Sequence, residues 1–141
     1  MHRLRCAANA RGATFIEIII AVFIIAVAGS GIVAAHLSAE HLSEQATDTM
    51  QAVNDLEDLL EHVRSTPFAN LQAVFPAGVA NGGAGAPTPY ERLVGPYTLD
   101  GESITVTYPQ VSPGRIELLV TANWSFRGRA LTTNISTART S

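Results

Sequence analysis

The chain has 141 residues with nine arginines, no lysine and twelve carboxylates, a formal charge of −3. That is material for one ordinary domain, not for a multidomain enzyme. Charged residues make up only 15% of it against 47% apolar, a balance that argues against disorder. It also lacks the basic footprint of a general nucleic-acid binder. The single cysteine, Cys6, excludes an internal disulfide and a multi-cysteine zinc site.

The chain opens on a short basic stretch, Met1 to Gly12, carrying Arg3, Arg5 and Arg11, and then turns apolar. From Ile18 to Ala35 eighteen consecutive residues carry no charge. As a helix this run is about 27 Å long, close to the thickness of a bilayer core. The basic flank predicts a cytoplasmic N-terminus, with the remainder of the chain outside. A buried core helix would explain the apolar run but not the flank. Glu17 sits at the inner edge of this run. A carboxylate near the hydrocarbon core costs a few kcal/mol on insertion scales, of order ~2.5–3.5 at the centre and less at the interface, so it calls for a cationic partner. The span itself offers none.

Gly12-Ala13-Thr14-Phe15-Ile16-Glu17, after an Arg-rich leader and before an unbroken apolar run, resembles the prepilin signature of type IV pilins and type II secretion pseudopilins. The resemblance implies cleavage by a prepilin peptidase between Gly12 and Ala13, N-methylation of Ala13, and a mature chain in which Glu17 is the fifth residue. Phenylalanine is the usual first mature residue of that family, and here it is Ala13. The resemblance further implies a single-pass protein of a bacterial inner membrane. Its N-terminus would be cytoplasmic and its C-terminal domain periplasmic, and the protein would later be extracted into a filament. Partners implied are the peptidase, other pilins or pseudopilins, the inner-membrane assembly platform and membrane lipid. In a bundle of staggered helices, the amine of one Ala13 meets the Glu17 carboxylate of a neighbour, an attraction strengthened by low dielectric. An unpaired carboxylate there is costly, so Glu17 sets the axial register.

The competing reading is an extracytoplasmic binding module that never polymerises, either held in the membrane by the apolar helix or released from a secretory signal. Ala26-Val27-Ala28 before Gly29 fits a small-residue cleavage site, and cutting there would release an extracytoplasmic binding module that never polymerises. Apolar character continues past that point, through Ile32 to Ala35, which argues against it. Gly29-Ser30-Gly31 are poor helix formers that suit close helix packing in a bundle.

Residues 36–66 read as an amphipathic continuation of the same helix. Leu42, Ala46, Thr49, Val53, Leu56, Leu60 and Val63 recur at alternating gaps of four and three, and define an apolar stripe. Glu40, Glu44, Asp48, Asp55, Glu57, Asp58 and Glu61 fall on the other faces. Pro67 predicts the end near Ser65. From Ala13 to Ser65 the helix is about 80 Å long.

Residues 67–95 are read as a helix-to-sheet loop, rich in Gly, Pro and Ala over 76–89. They lack the lysine and strand–helix frame of a phosphate-binding loop. Residues 96–141 are read as an antiparallel sheet of three or four strands. Leu93 to Leu99 is a candidate first strand, ended by Asp100-Gly101. Ile104, Val106 and Tyr108 alternate in a second, and Ile116, Leu118, Val120, Ala122 and Trp124 in a third. Arg127-Gly128-Arg129 is the next turn, and Leu131, Thr133 and Ile135 alternate in the last. One apolar face of such a sheet needs a cover, and the helix stripe is the available element. The expected class is therefore α+β: a long N-terminal helix, membrane-spanning over 13–35 and amphipathic over 36–66, with an antiparallel sheet packed on its outer half. That is also the pilin fold, and the lack of a C-terminal cysteine pair favours a minor pilin or pseudopilin.

Catalytic and metal signatures are missing. His36, His41 and His62 form no i, i+4 pair, no serine lies in a nucleophile elbow, and no cofactor or metal site is expected. Without residues 1–12, six arginines face twelve acids, a net −6. Nucleic acid is therefore not an expected partner, and the one place for a local basic patch is Arg127, Arg129 and Arg139.

Overall fold

The computed structural model describes residues 14–83, 85 and 87–141. Helix α1 runs unbroken over Phe15–Ser65, 51 residues. It ends where Pro67 forbids helical dihedrals to its predecessor. Two units divide at Leu42 and Ser43.

Among the described residues of the first unit, none packs on the helix. Phe15, Ile16, Phe23, Ile24, Ile25, Ile32 and their apolar neighbours are all exposed. None of its most apolar stretch is buried by protein, and the helix is long and apolar enough to cross a membrane. It passes through Gly29-Ser30-Gly31 without a break, and a Cβ at either glycine would meet nothing within 4 Å. Ser30 returns its hydroxyl to the Val27 carbonyl at 2.8 Å.

The second unit is a meander of three antiparallel strands in the order β1-β2-β3: β1 (Ser103–Ser112), β2 (Arg115–Phe126) and β3 (Arg129–Thr140). Residues 43–65 of α1 lie over one face. A single core joins Ala52, Leu56, Leu59, Leu60 and Val63 of the helix to Ile104, Val106, Leu118, Val120, Ala122 and Trp124 of the sheet. The alternation read from the sequence is the alternation observed: β2 buries Ile116, Leu118, Val120, Ala122 and Trp124. The β2–β3 connection is a two-residue turn with positive φ at Arg127 and Gly128. This is the turn whose twist matches that of the strands it joins. The α+β layout, long helix then antiparallel sheet, matches the pilin fold.

Three local expectations differ. The apolar stripe on α1 is rotated. Leu56, Leu60 and Val63 are buried as read, but Leu42 and Ala46 are exposed and Val53 is half-buried, while Ala52, Asp55 and Leu59 take the buried positions. A strict spacing of 3.5 drifts by about 20° per heptad from a straight helix of 3.6 residues per turn, so the two stripes agree near Val63 and part toward Leu42. Second, Leu93–Leu99 forms no strand. Glu91–Val94 is a single helical turn, α3, started by a reciprocal cap: the Thr88 N–H donates to Glu91 Oε2 at 2.6 Å and the Glu91 N–H to Thr88 Oγ1 at 3.4 Å. Gly95, at φ 98°, and Pro96 then break regular structure. Asp100-Gly101 still turns the chain, but into β1 and not between two strands.

Third, the connection before the sheet is not a plain loop. It holds a short helix, α2 (Leu71–Val74), and helical turns at 68–70 and 80–82. It closes the core with Leu71, Phe75 and Tyr90. The Tyr108 hydroxyl donates to the Phe75 carbonyl at 2.7 Å, anchoring this connection to β1. Gly82 lies against the Tyr90 ring at positive φ, and a Cβ there would fall 2.6 Å from Cε1.

Candidate functional site

Of the three residues singled out for processing and assembly, Gly12 and Ala13 lie outside the described residues. Glu17 lies in the first turn of α1. Thr14 precedes the helix, its carbonyl accepts the Glu17 N–H at 2.9 Å, and its own N–H donates to Glu17 Oε2 at 3.4 Å. Thr14-Phe15-Ile16-Glu17 thus has the order of a capping box, in which the third helical residue reaches back to the cap. A carboxylate there also faces the positive end of the helix dipole. Thr-x-x-Glu was readable in the sequence as a helix start. The local geometry gives Glu17 a weak partner within its own chain and leaves the carboxylate exposed, free to take a stronger one.

A pair of carboxyls to which the sequence does not point lies in the second unit. Asp55 of α1 and Glu102, just before β1, are 6% and 7% exposed and face each other as a carboxyl pair. The Gln51 amide donates to Asp55 Oδ1 at 3.0 Å, and the Leu99 N–H to Glu102 Oε2 at 3.2 Å. Burial pushes both acids up, Glu102 to about 7, with the Asp55 bond and charge adding to its rise. Glu102 Oε1 is buried with no hydrogen-bond partner. One proton there turns two repelling acceptors into a donor and an acceptor, and ties helix to sheet. Asp55 was expected on an outward face; pairing with a carboxyl 47 residues away is invisible to helical periodicity.

The arginines do not gather. Arg127 pairs with Glu44 of α1 at 2.8 Å. Arg139 stands at the far end of β3, over 30 Å away by strand rise (roughly 3.3 Å per residue). There it donates to the Arg64 carbonyl at 2.6 Å and the Thr66 carbonyl at 3.3 Å. It caps the C-terminus of α1, where a cation is favoured. Arg127, Arg129 and Arg139, the one candidate for a local basic patch, therefore do not come together as three.

His36, His41 and His62 are exposed along α1, with His36 Nε2 3.2 Å from Glu40. Among the described residues no group of three His, Cys, Asp or Glu could hold a metal ion. Buried tyrosine hydroxyls have raised pKa values through desolvation, Tyr90 to about 12, and so are neutral hydrogen-bonding groups at physiological pH. No family model, curated protein or solved structure matches the chain.

Proposed function

We propose that this chain is a minor structural subunit, a pilin or pseudopilin, of a type IV pilus or type II secretion filament. In this reading prepilin peptidase cuts after Gly12, Ala13 is methylated, and the processed chain waits in the inner membrane as a single-pass protein. The observation that carries it is the start of α1. An exposed carboxylate, Glu17, stands at the head of an apolar helix whose most apolar stretch none of the described residues covers. Such a helix needs lipid or other helices around it, and such a carboxylate in that setting needs a cation. A freed amine on a neighbouring Ala13 supplies one. The net charge and the dispersed arginines support a protein-based role over nucleic-acid binding, and the second unit serves as the surface domain carried by the helix.

One observation favours the runner-up, a membrane-anchored binding module that does not polymerise: the Thr14–Glu17 contact gives Glu17 a purely local task. Two substitutions separate the readings. Glutamine serves in a capping box as glutamate does, but it carries no charge. Under the filament reading, Glu17→Gln and Glu17→Ala both remain membrane-inserted, and both fall by at least about tenfold in the sheared filament fraction. Breaking a buried pair costs several kcal/mol, and ~1.4 kcal/mol is a factor of ten. Under the local reading Glu17→Gln behaves as the unsubstituted chain. Immunoblots of membrane and filament fractions give the answer.

A further inference from the structure

The two edges of the sheet are treated differently. On the β1 edge, the Gly78 N–H donates to the Val106 carbonyl at 2.8 Å and the Asn81 side chain accepts the Ile104 N–H at 2.7 Å. A register shift between Thr107 and Gln110, with Pro109 inside it, distorts what remains. Covers, bulges and prolines are the devices by which proteins close a sheet edge.

The β3 edge has none of them. It is twelve residues long, in unbroken register with β2, without proline or glycine, and uncharged from Ala130 to Ala138. The two-residue turn makes Phe126 and Arg129 a hydrogen-bonded pair, and the Ser141 N–H donates to Gly114 at the other end. Antiparallel alternation then leaves Ala130, Thr132, Asn134, Ser136 and Ala138 with N–H and C=O pointing away from β2. Among the described residues no backbone hydrogen bond reaches them.

Beside this edge lies a groove of about 360 Å³ between α1 and β3. Leu60 and Ile135 are its apolar part, and Glu57, Asp58 and Glu61 its rim, with Arg64 as the one cation. A strand added to β3 lies one strand spacing further out, about 4.8 Å, and aims every second side chain toward α1. Those side chains meet the carboxylates.

We propose that the β3 edge is a strand-addition site for an extended segment of a different protein, one carrying lysine or arginine at alternate positions that face α1. A second copy fits poorly. Its β1 edge is covered, and two β3 edges laid antiparallel with residues 129–139 paired set Arg129 across from Arg139. Like charges directly opposite destabilise a strand pair, and the shifted register that separates them, with residues 130–140 paired, sets Ile135 across from Ile135 and brings no cation to the carboxylates beside it. The site is independent of whether the chain polymerises.

The test uses the full chain in uncharged detergent micelles and two synthetic probes, seven-residue peptides alternating Thr with Lys or Thr with Glu. Amide hydrogen exchange is read by NMR. The Lys peptide should slow exchange at Thr132, Asn134 and Ser136 by about tenfold, the value of one net hydrogen bond, and the Glu peptide should not. Ser136→Pro removes an outward N–H, which an edge strand tolerates. It should abolish the slowing at Thr132 and Asn134 while leaving the Trp124 fluorescence unfolding transition unchanged. The combined Glu57→Gln and Glu61→Gln variant should bind the Lys peptide more weakly. Absence of slowing overturns the proposal, as does equal slowing by the Glu peptide. Slowing without peptide that grows with protein concentration also overturns it, because a second copy is then the occupant.

Discussion

Leu56→Ala should destabilise the helix–sheet unit by about 2–5 kcal/mol, whereas Leu42→Ala on the same helix should change it by no more than about 0.5. The two substitutions are chemically identical, and alanine favours the helix at both places, so propensity cancels and only packing differs. Leu56 is 0% exposed and part of the core that meets the sheet; Leu42 is 68% exposed. Removing the Leu56 side chain leaves a cavity between rigid walls and forfeits its contacts. For a unit of this size, ~3 kcal/mol lowers the melting temperature by roughly 10–20 °C. Trp124, the only tryptophan and 4% exposed, reports the transition by fluorescence. Equal effects at the two positions would mean that the stripe follows the 3.5-residue spacing after all.

Glu102→Gln should stabilise the protein above neutral pH, by on the order of 1–3 kcal/mol. Glu102 rises from an ordinary value near 4.5 to about 7 in the fold. Below 4.5 both folded and unfolded chains hold the proton, and the group contributes no pH dependence. Between 4.5 and about 7 the unfolded chain has released its proton while the folded chain keeps it, so stability falls as pH rises. Above 7 the full cost of a second buried negative charge beside Asp55 persists. Glutamine keeps a donor for Asp55 and an acceptor for the Leu99 N–H without that charge. Unfolding midpoints should therefore fall from pH 5 to pH 8 in the parent chain and much less in the variant. Parallel pH profiles would show that the pair shares no proton.

The contrast between Leu42 and Leu56 also marks what local pattern can tell. The sheet was legible because Ile116, Leu118, Val120, Ala122 and Trp124 place an apolar residue at every second position of β2, and its turns carry Pro113-Gly114 and Arg127-Gly128. The length of α1 was legible because no helix breaker stands between the glycines near residue 30 and Pro67. What escaped depends on partners distant in sequence. Asp55 is buried because Glu102 meets it, Arg127 leaves any patch because Glu44 holds it, and Arg139 does so because the end of α1 needs a cap. Two misses had local signals. Thr14 with Glu17, and Thr88 with Glu91, each show the Thr-x-x-Glu order of a helix start. The second outweighed the β-branched and aromatic content of residues 93–99. Glu17 stood out by its charge in an apolar setting, a question of solvation that the residue type alone raises.

The central claim, that Glu17 awaits a cationic terminus made by proteolysis, is tested most directly by the intact mass of the protein recovered from its native membrane. The account predicts a polypeptide beginning at Ala13 and bearing one added methyl group. A polypeptide that retains residues 1–12, or one that begins at Gly29, would contradict it.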